Sequence, residues 1–328
     1  MIVVCGEALI DLIDSGDGNP RPAPGGAPFN TARALARLGV PTAFLGRLSD
    51  DEFGRQLAGL LTSDGVSLSL APSGTEPTTT AIARVDGDGV AEYEFLTEGT
   101  SAPNLSKAML PDRLSPEVEA IHLGTLGLML EPIASTLVDL VRRESGDRLV
   151  MLDPNIRPAL VSGPAYRNRL DWVVSHSTIV KVSKDDLAWL FPTLDIEAAS
   201  ARILTFGVRL LMVTLGPDGA LGVTGDSRAQ VSAPPIRVVD TIGAGDAFGA
   251  ASLAWLHERG ALRPDLSLTA EELESLLSFA CLAASLTCTH RGAEPPWRSE
   301  LPDPDRGPLA ADLAGPSQGA PTGRRGRS

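Results

Sequence analysis

Asp240-Thr241-Ile242-Gly243-Ala244-Gly245-Asp246-Ala247-Phe248 is the stretch whose reading decides the fold. An extended run, Ile236 to Val239, is expected before it, and a helix from Ala247 to Arg259, closed by Gly260, after it. Small residues at such a strand-to-helix turn let backbone N–H groups approach a ligand. The helix N-terminus adds partial positive charge, so the natural guest is an anion. Asp246 stands inside that cradle. A carboxylate repels phosphate, so its placement makes sense for a group that handles a proton: a base that deprotonates an alcohol while the amides hold an incoming phosphoryl group. Two other readings of these residues exist. Gly243-Ala244-Gly245 opens like the dinucleotide fingerprint G-x-G-x-x-G, although Phe248 occupies the third glycine position and the turn falls late in the chain. Asp246 can also be an acid in a helix's first turn, where the dipole favours one.

Bulk properties narrow the class. The chain has 328 residues and a formal net charge of −13 at pH 7, enough length for one large core or two modest ones. The acidic balance argues against a dedicated nucleic-acid binder, which needs clustered Lys and Arg. No apolar run approaches a membrane span, and no charged-then-apolar signal segment opens the chain. Lys107, Lys181 and Lys184 are the only lysines and none follows a glycine, which excludes a P-loop. Cys5, Cys281 and Cys288 are widely spaced in apolar runs and read as small buried hydrophobes of a reducing compartment. With His122, His176, His257 and His290 they show no zinc spacing. A cytoplasmic protein is expected.

Along the chain, Ile2-Val3-Val4-Cys5 reads as a buried strand, continued by 7–14, in which Asp11 interrupts apolar neighbours as an exposed residue on an alternating strand does. After the Pro-rich stretch 19–24, Gly25-Gly26-Ala27-Pro28-Phe29-Asn30 leads into helical spacing from Thr31 to Leu38, stopped by Gly39. A double glycine there suggests either backbone pressed against a ligand or an ordinary helix-start loop. Asn30 is too early in the helix to be simply core, and its amide can both donate to and accept from a hydroxyl. Thr42 to Gly46 reads as a strand and Glu52 to Leu61 as a helix.

Thr78 to Val85 alternates, Asp86-Gly87-Asp88-Gly89 marks a hairpin, and Val90 to Phe95 returns. This pair is expected to form a small separate sheet, a flap able to shield a phosphoryl donor from water. Strands at 120–123, 149–152, 178–182 and 210–215 then alternate with helices at 133–143, 165–174 and 197–206. That rhythm implies a parallel doubly wound α/β sheet with ligands at the strands' carboxyl ends. The polar turns stand there: Asp153-Pro154-Asn155-Ile156-Arg157, Ser183-Lys184-Asp185-Asp186 and Thr214-Leu215-Gly216-Pro217-Asp218-Gly219. A long apolar helix follows at 270–289. The Pro- and Gly-rich tail, 299–328, is expected to be disordered, with Arg324-Arg325-Gly326-Arg327 a solvated end.

Together the late motif, 240–248, and the early one, 25–30, resemble the ribokinase-like (PfkB-type) carbohydrate kinases, over nearly everything from 1 to 298. The resemblance implies an αβα sandwich with a mostly parallel central sheet and a small β-sheet lid, its strands at about 9–22 and 78–97. It implies Asp246 as catalytic base, with Gly243, Ala244 and Gly245 at the anion hole. Asp11, Gly25, Gly26, Asn30 and Arg157 would join Asp246 in binding the sugar. Ser183, Thr214, Gly216, Gly219, Gly245 and Cys281 would lie along ATP. Ser183 and Asp186 occupy the family's Asn-x-x-Glu position, so Asp186 would meet Mg²⁺ through water, with a shorter side chain than usual. Asp240, Ile242, Thr287 and Gly292 resemble positions that hold a monovalent cation such as K⁺ in some members.

Within the family, GEALIDLI (6–13), YEFLTEGTSAP (93–103) and DPNIRP (153–158) look most like fructokinases. Kinases of 2-keto-3-deoxygluconate tend to carry an Arg in the lid where this chain has Glu98, which would repel an acid. A neutral sugar, fructose first, is therefore the expected acceptor, with ribose and the keto-acid behind it. A non-catalytic sugar or nucleotide sensor of the same fold is the reading from another class. A homodimer through the lid is the expected assembly, with neither nucleic acid nor membrane as partner.

Overall fold

The computed structural model of the protein describes residues 1–14, 20–85, 91–161 and 163–302. The chain opens with β1 (Ile2–Cys5), β2 (Leu9–Asp14), β3 (Arg21–Gly25) and α1 (Ala27–Arg37). Next come β4 (Thr42–Leu45), β5 (Leu48–Ser49), α2 (Glu52–Ser63), β6 (Ser73–Gly74), β7 (Thr80–Val85) and β8 (Ala91–Leu96). The α/β series follows as β9 (Ala120–Gly124), α3 (Ile133–Glu144), β10 (Leu149–Asp153), α4 (Pro164–Val174), β11 (Ile179–Ser183), α5 (Lys184–Leu190), α6 (Ile196–Leu204) and β12 (Leu210–Thr214). It closes with β13 (Ala220–Val223), β14 (Arg228–Val231), α7 (Ala244–Glu258) and α8 (Ala270–Thr287).

Apolar strands with no polar face are what a sheet covered on both sides requires. The eight-stranded sheet runs β14-β13-β12-β11-β10-β9-β1-β4. Its strands are parallel from β12 to β4, with β13 and β14 added antiparallel. In β1, Ile2 and Val4 enter the core with α1, α2, α7 and α8, while Val3 and Cys5 enter the opposite core with α3 to α6. Helix α7 is buried from Asp246 to Leu256 and packs on both α1 and α8. Its Ala, Gly and Ser positions make that possible, because small side chains let three helices approach closely.

A second sheet, β3-β2-β7-β8, stands apart from the first. The expected pairing of β7 with β8 is antiparallel, and β2 lies parallel to β7. The expected hairpin turn, 86–89, lies outside the described residues, as does 303–328 of the tail. The first lid segment is longer than anticipated: it is two strands, and β3 reaches Gly25 despite Pro22 and Pro24. Strand β3 is at the sheet's edge, the place where proline's missing N–H interrupts no ladder.

The expected extended run at 236–239 is corrected. Residues 236–239 form no strand, and Val238 and Val239 are 57% and 53% exposed. Pro234 and Pro235 precede this stretch and cannot donate to a ladder. The late turn therefore follows a surface coil, and the sheet ends instead in the unanticipated pair β13 and β14. Residues 299–302 of the expected tail are placed. Leu301 is 5% exposed in the core, and Arg298 Nε bonds Glu258 Oε1 at 2.7 Å. Finally, Gly124 packs so tightly on the end of β10 that a Cβ there would lie 1.7 Å from the Asp153 carbonyl oxygen. Gly124→Ala is therefore expected to cost about 3 kcal/mol, read as a lower urea midpoint.

Candidate active site

Gly243 is the N-cap of α7, with φ at +77°, and a Cβ there would strike Ala293. Glycine thus admits both the left-handed turn and the close loop. As the first turn of a helix, Gly245 and Asp246 present N–H groups without a helical carbonyl partner. Ala244 N donates to Thr241 O at a long 3.3 Å. Asp246 follows on the same turn, 8% exposed, and its Oδ2 accepts from Asn30 Nδ2 at 2.8 Å. Burial pushes the Asp246 carboxyl up to about 6, against the Lys181 charge and the Asn30 bond, which pull it down.

Asn30 is 6% exposed, and its Oδ1 has no hydrogen-bond partner among the described residues. An amide oxygen left this way beside a carboxylate is suited to a hydroxyl that donates to it. Asn30 N bonds Gly26 O, so the first turn of α1 starts on the double glycine. A Cβ at Gly25 would lie 2.2 Å from Asp11 Oδ2, and one at Gly26 2.8 Å from Glu7 O. The glycines therefore make room for the Asp11 carboxylate and for the backbone at the end of β1. Burial raises Asp11 to about 6, opposed by the charge of Arg157. Asp11, Gly25, Gly26, Asn30, Arg157 and Asp246 thus form one cluster. Glu98 is exposed beyond β8.

The residues expected along a nucleotide separate into two groups. Ser183 and Thr214 are register partners at the carboxyl ends of β11 and β12. Gly216 and Gly219 bracket the next turn with φ of +62° and +94°, and a Cβ at Gly219 would lie 2.0 Å from Val231 O. Cys281, by contrast, is 4% exposed inside the α7–α8 core. Burial pushes its thiol up to about 12. Ser183 and Asp186 form a capping box at the start of α5. Asp186 Oδ2 accepts from Ser183 N and Oγ, and Oδ1 from Ile156 N. A carboxylate offers about four acceptor sites, so one on Asp186 remains open. No cluster of three His, Cys, Asp or Glu fit for a metal occurs among the described residues.

The carboxylate of Asp240 ties two loops together, accepting from Ile242 N at 3.1 Å and from Gly292 N at 2.8 Å. Asp240 N meets Cys288 O, one residue past Thr287. Asp240, Ile242 and Gly292 are thus joined directly and Thr287 adjoins Cys288, while the carbonyls of Thr287 and Gly292 accept from His290 N and Glu294 N.

A family model described as pfkB family carbohydrate kinase matches residues 1–300. The chain belongs to this family. It is a phosphotransferase acting on a sugar. The chain is 39% identical over 281 residues to a fructokinase of Rhizobium leguminosarum bv. trifolii, covering 84% of each. The structure of a Vibrio cholerae O395 fructokinase in a fructose-, ADP- and calcium-bound form is 29% identical, with a TM-score of 0.78 over 89% of this chain and 94% of that one. A Xylella fastidiosa fructokinase with bound ATP is 27% identical, with a TM-score of 0.82 over 92% and 94%.

Three buried charges of the kinase were not singled out by sequence reasoning. Lys181 Nζ bonds Asp153 Oδ2 at 2.7 Å, both side chains being nearly inaccessible. The signal was present, since a lysine between Val180 and Val182 in an otherwise apolar strand is rarely buried without a partner. Arg33, 3% exposed, bonds Asp64 Oδ2 at 2.6 Å and Ala293 O at 3.3 Å, tying the helix that carries Asn30 to the loop after α8. Glu7, 1% exposed, accepts from Gly127 N.

Burial pushes Glu7 up to about 8, against backbone bonds and the charge of Arg157, and Asp246 adds to the rise. The folded kinase binds this proton more tightly than the unfolded chain does, so stability is lost as pH rises from the ordinary 4.5 to about 8. Glu7→Gln removes that loss. Its urea midpoint is expected to gain on the wild type's across this window and to level off above it.

Proposed function

We propose that this kinase is a fructokinase, transferring the γ-phosphoryl group of ATP to a primary hydroxyl of fructose. The observation that carries the reading is the buried Asn30–Asp246 contact at the mouth of an amide cradle, on the side of the molecule where Asp11 stands. Asn30 and Asp11 would hold neighbouring sugar hydroxyls, and Gly25 and Gly26 would admit the ring. Arg157 would offset the acids around it. Asp246 would take the proton of the attacking hydroxyl at its Oδ atoms. The amides of Gly245 and Asp246, with Ala244, would receive the phosphoryl oxygens. Such a transfer needs in-line positioning more than a strong base, so a carboxylate suffices.

ATP would lie along Ser183, Thr214, Gly216 and Gly219, and the likeness to fructokinases with ADP or ATP bound supports this. Mg²⁺ on the phosphates, met from Asp186 through water, would supply charge neutralisation. A monovalent cation on the carbonyls around Asp240, Ile242, Thr287 and Gly292 would stiffen the loop that starts α7. The kinase would act in the cytoplasm, which its three unpaired cysteines favour. Two copies would pair through the smaller sheet, to be tested by light scattering.

ADP release measured with fructose, ribose and 2-keto-3-deoxygluconate, with and without K⁺, tests the reading. Fructose is expected to give the highest kcat/KM, and no ADP with any of them would favour a sensor. Asp246→Asn should lower kcat by about 10³-fold or more while fructose still binds. The wild-type kcat/KM should fall as pH drops through about 6, where Asp246 and Asp11 take up protons. Near-normal turnover of Asp246→Asn would remove Asp246 from the role of base.

A further inference from the structure

A buried ammonium lies against the first turn of α7. Lys181 is 4% exposed in β11, and its Nζ is 2.7 Å from Asp153 Oδ2. Gly245 is the part of the cradle that meets it: a Cβ there would lie 3.0 Å from Nζ. Glycine at 245 is thus what lets the cation come up under the turn, in addition to what it does for a ligand on the other side.

Stability alone does not favour this arrangement. A helix N-terminus is partly positive and repels an ammonium. A buried ion pair is often no more stable than apolar residues of the same volume. Burial would strip the lysine of its proton; the charge of Asp153, the bond to it, and the charges of Asp246 and Asp186 keep the proton on. Asp246 is faced by Asn30 from α1, Lys181 from β11, Asp153 and Arg157 from the end of β10, and Glu7 from the end of β1. Of the two cations, Lys181 acts on it more strongly.

We propose that Lys181, oriented by Asp153, is a positioning residue for phosphoryl transfer: its ammonium, under the first turn of α7, fixes the Asp246 carboxylate in the dry site. This rests on the reading of Asp246 as the base.

The test uses the full chain with fructose, ATP and Mg²⁺, with Lys181→Met introduced into the wild type and into Asp246→Asn. In the wild type, kcat is expected to fall about 10²-fold, with KM for fructose nearly unchanged and the acid limb of kcat/KM displaced to higher pH. In Asp246→Asn the same substitution should change kcat by less than about threefold, because the carboxylate through which it acts is gone. An unchanged kcat, or an equal loss in both backgrounds, overturns the inference and leaves Lys181 a structural charge. Should Lys181→Met melt below the assay temperature, the nearly isosteric Asp153→Asn replaces it. The same kcat-selective, Asp246-dependent loss is expected, and an equal loss in both backgrounds again overturns the inference. A wild type that releases no ADP with any sugar defeats the kinase reading and this inference together. A normal wild type beside an unaffected Lys181→Met defeats this inference alone.

Discussion

The hydrogen bond from Asn30 to Asp246 joins residues 216 positions apart in the chain, and the architecture is arranged so that it can form. Helix α1 follows the lid strands, and α7 begins after the last strand of the main sheet. They meet because the sheet is wound outward in both directions from β1 and β9, which puts the first and the penultimate helix on one face. Close approach is helped by the Gly, Ala and Ser that alternate with Phe248, Leu253, Trp255 and Leu256 along the buried length of α7. A larger side chain on that face would separate the helices and, with them, the amide from the carboxylate.

Burial sets the electrostatics of the cluster. Glu7, Asp11 and Asp246 are all raised, in each case with desolvation as the largest cause, and Arg157 opposes the rise in all three. So many acids within one small region weaken the fold at neutral pH, whether a charge is desolvated, as at Asp11 and Asp246, or a proton is retained, as at Glu7. The cations answer this unevenly. Arg157 is spread over several carboxylates and also bonds Asn155, whereas Lys181 is committed to Asp153 and stands next to Asp246. Folding energy is thus given up where the chemistry is expected, as sites that must carry charge in a dry pocket commonly require.

The loops that start α7 and end α8 are held by side chains of the same region. Asp240 bonds backbone on both loops, and Arg33 reaches from α1 to Ala293. Since Gly243 packs directly on Ala293, a change at the 290–295 loop reaches the first turn of α7 through contact, and reaches Asn30 through α1. Any ion bound at the carbonyls of these loops would therefore act on the position of the cradle without touching the sugar.

Much of this was legible from residues alone. The apolar runs of β1, β9, β10, β11 and β12 announce a sheet buried on both faces, because a strand wetted on one face would have to alternate. The glycines at 25, 26, 243 and 245 mark backbone that something must approach, and Asp246 is conspicuous as an acid where an anion is held. The 236–239 run, the strands β13 and β14 and the edge strand β3 were misread or missed, since short or proline-containing stretches carry too little pattern to tell a ladder from a coil. What only the tertiary structure decided is which charges share a dielectric environment. Lys181, Asp153, Glu7 and Arg33 lie on different elements, and nothing local to any of them reveals that folding brings the first three to one carboxylate. A sequence states which groups a chain can ionise; the desolvation and partners that determine whether they do are set by packing.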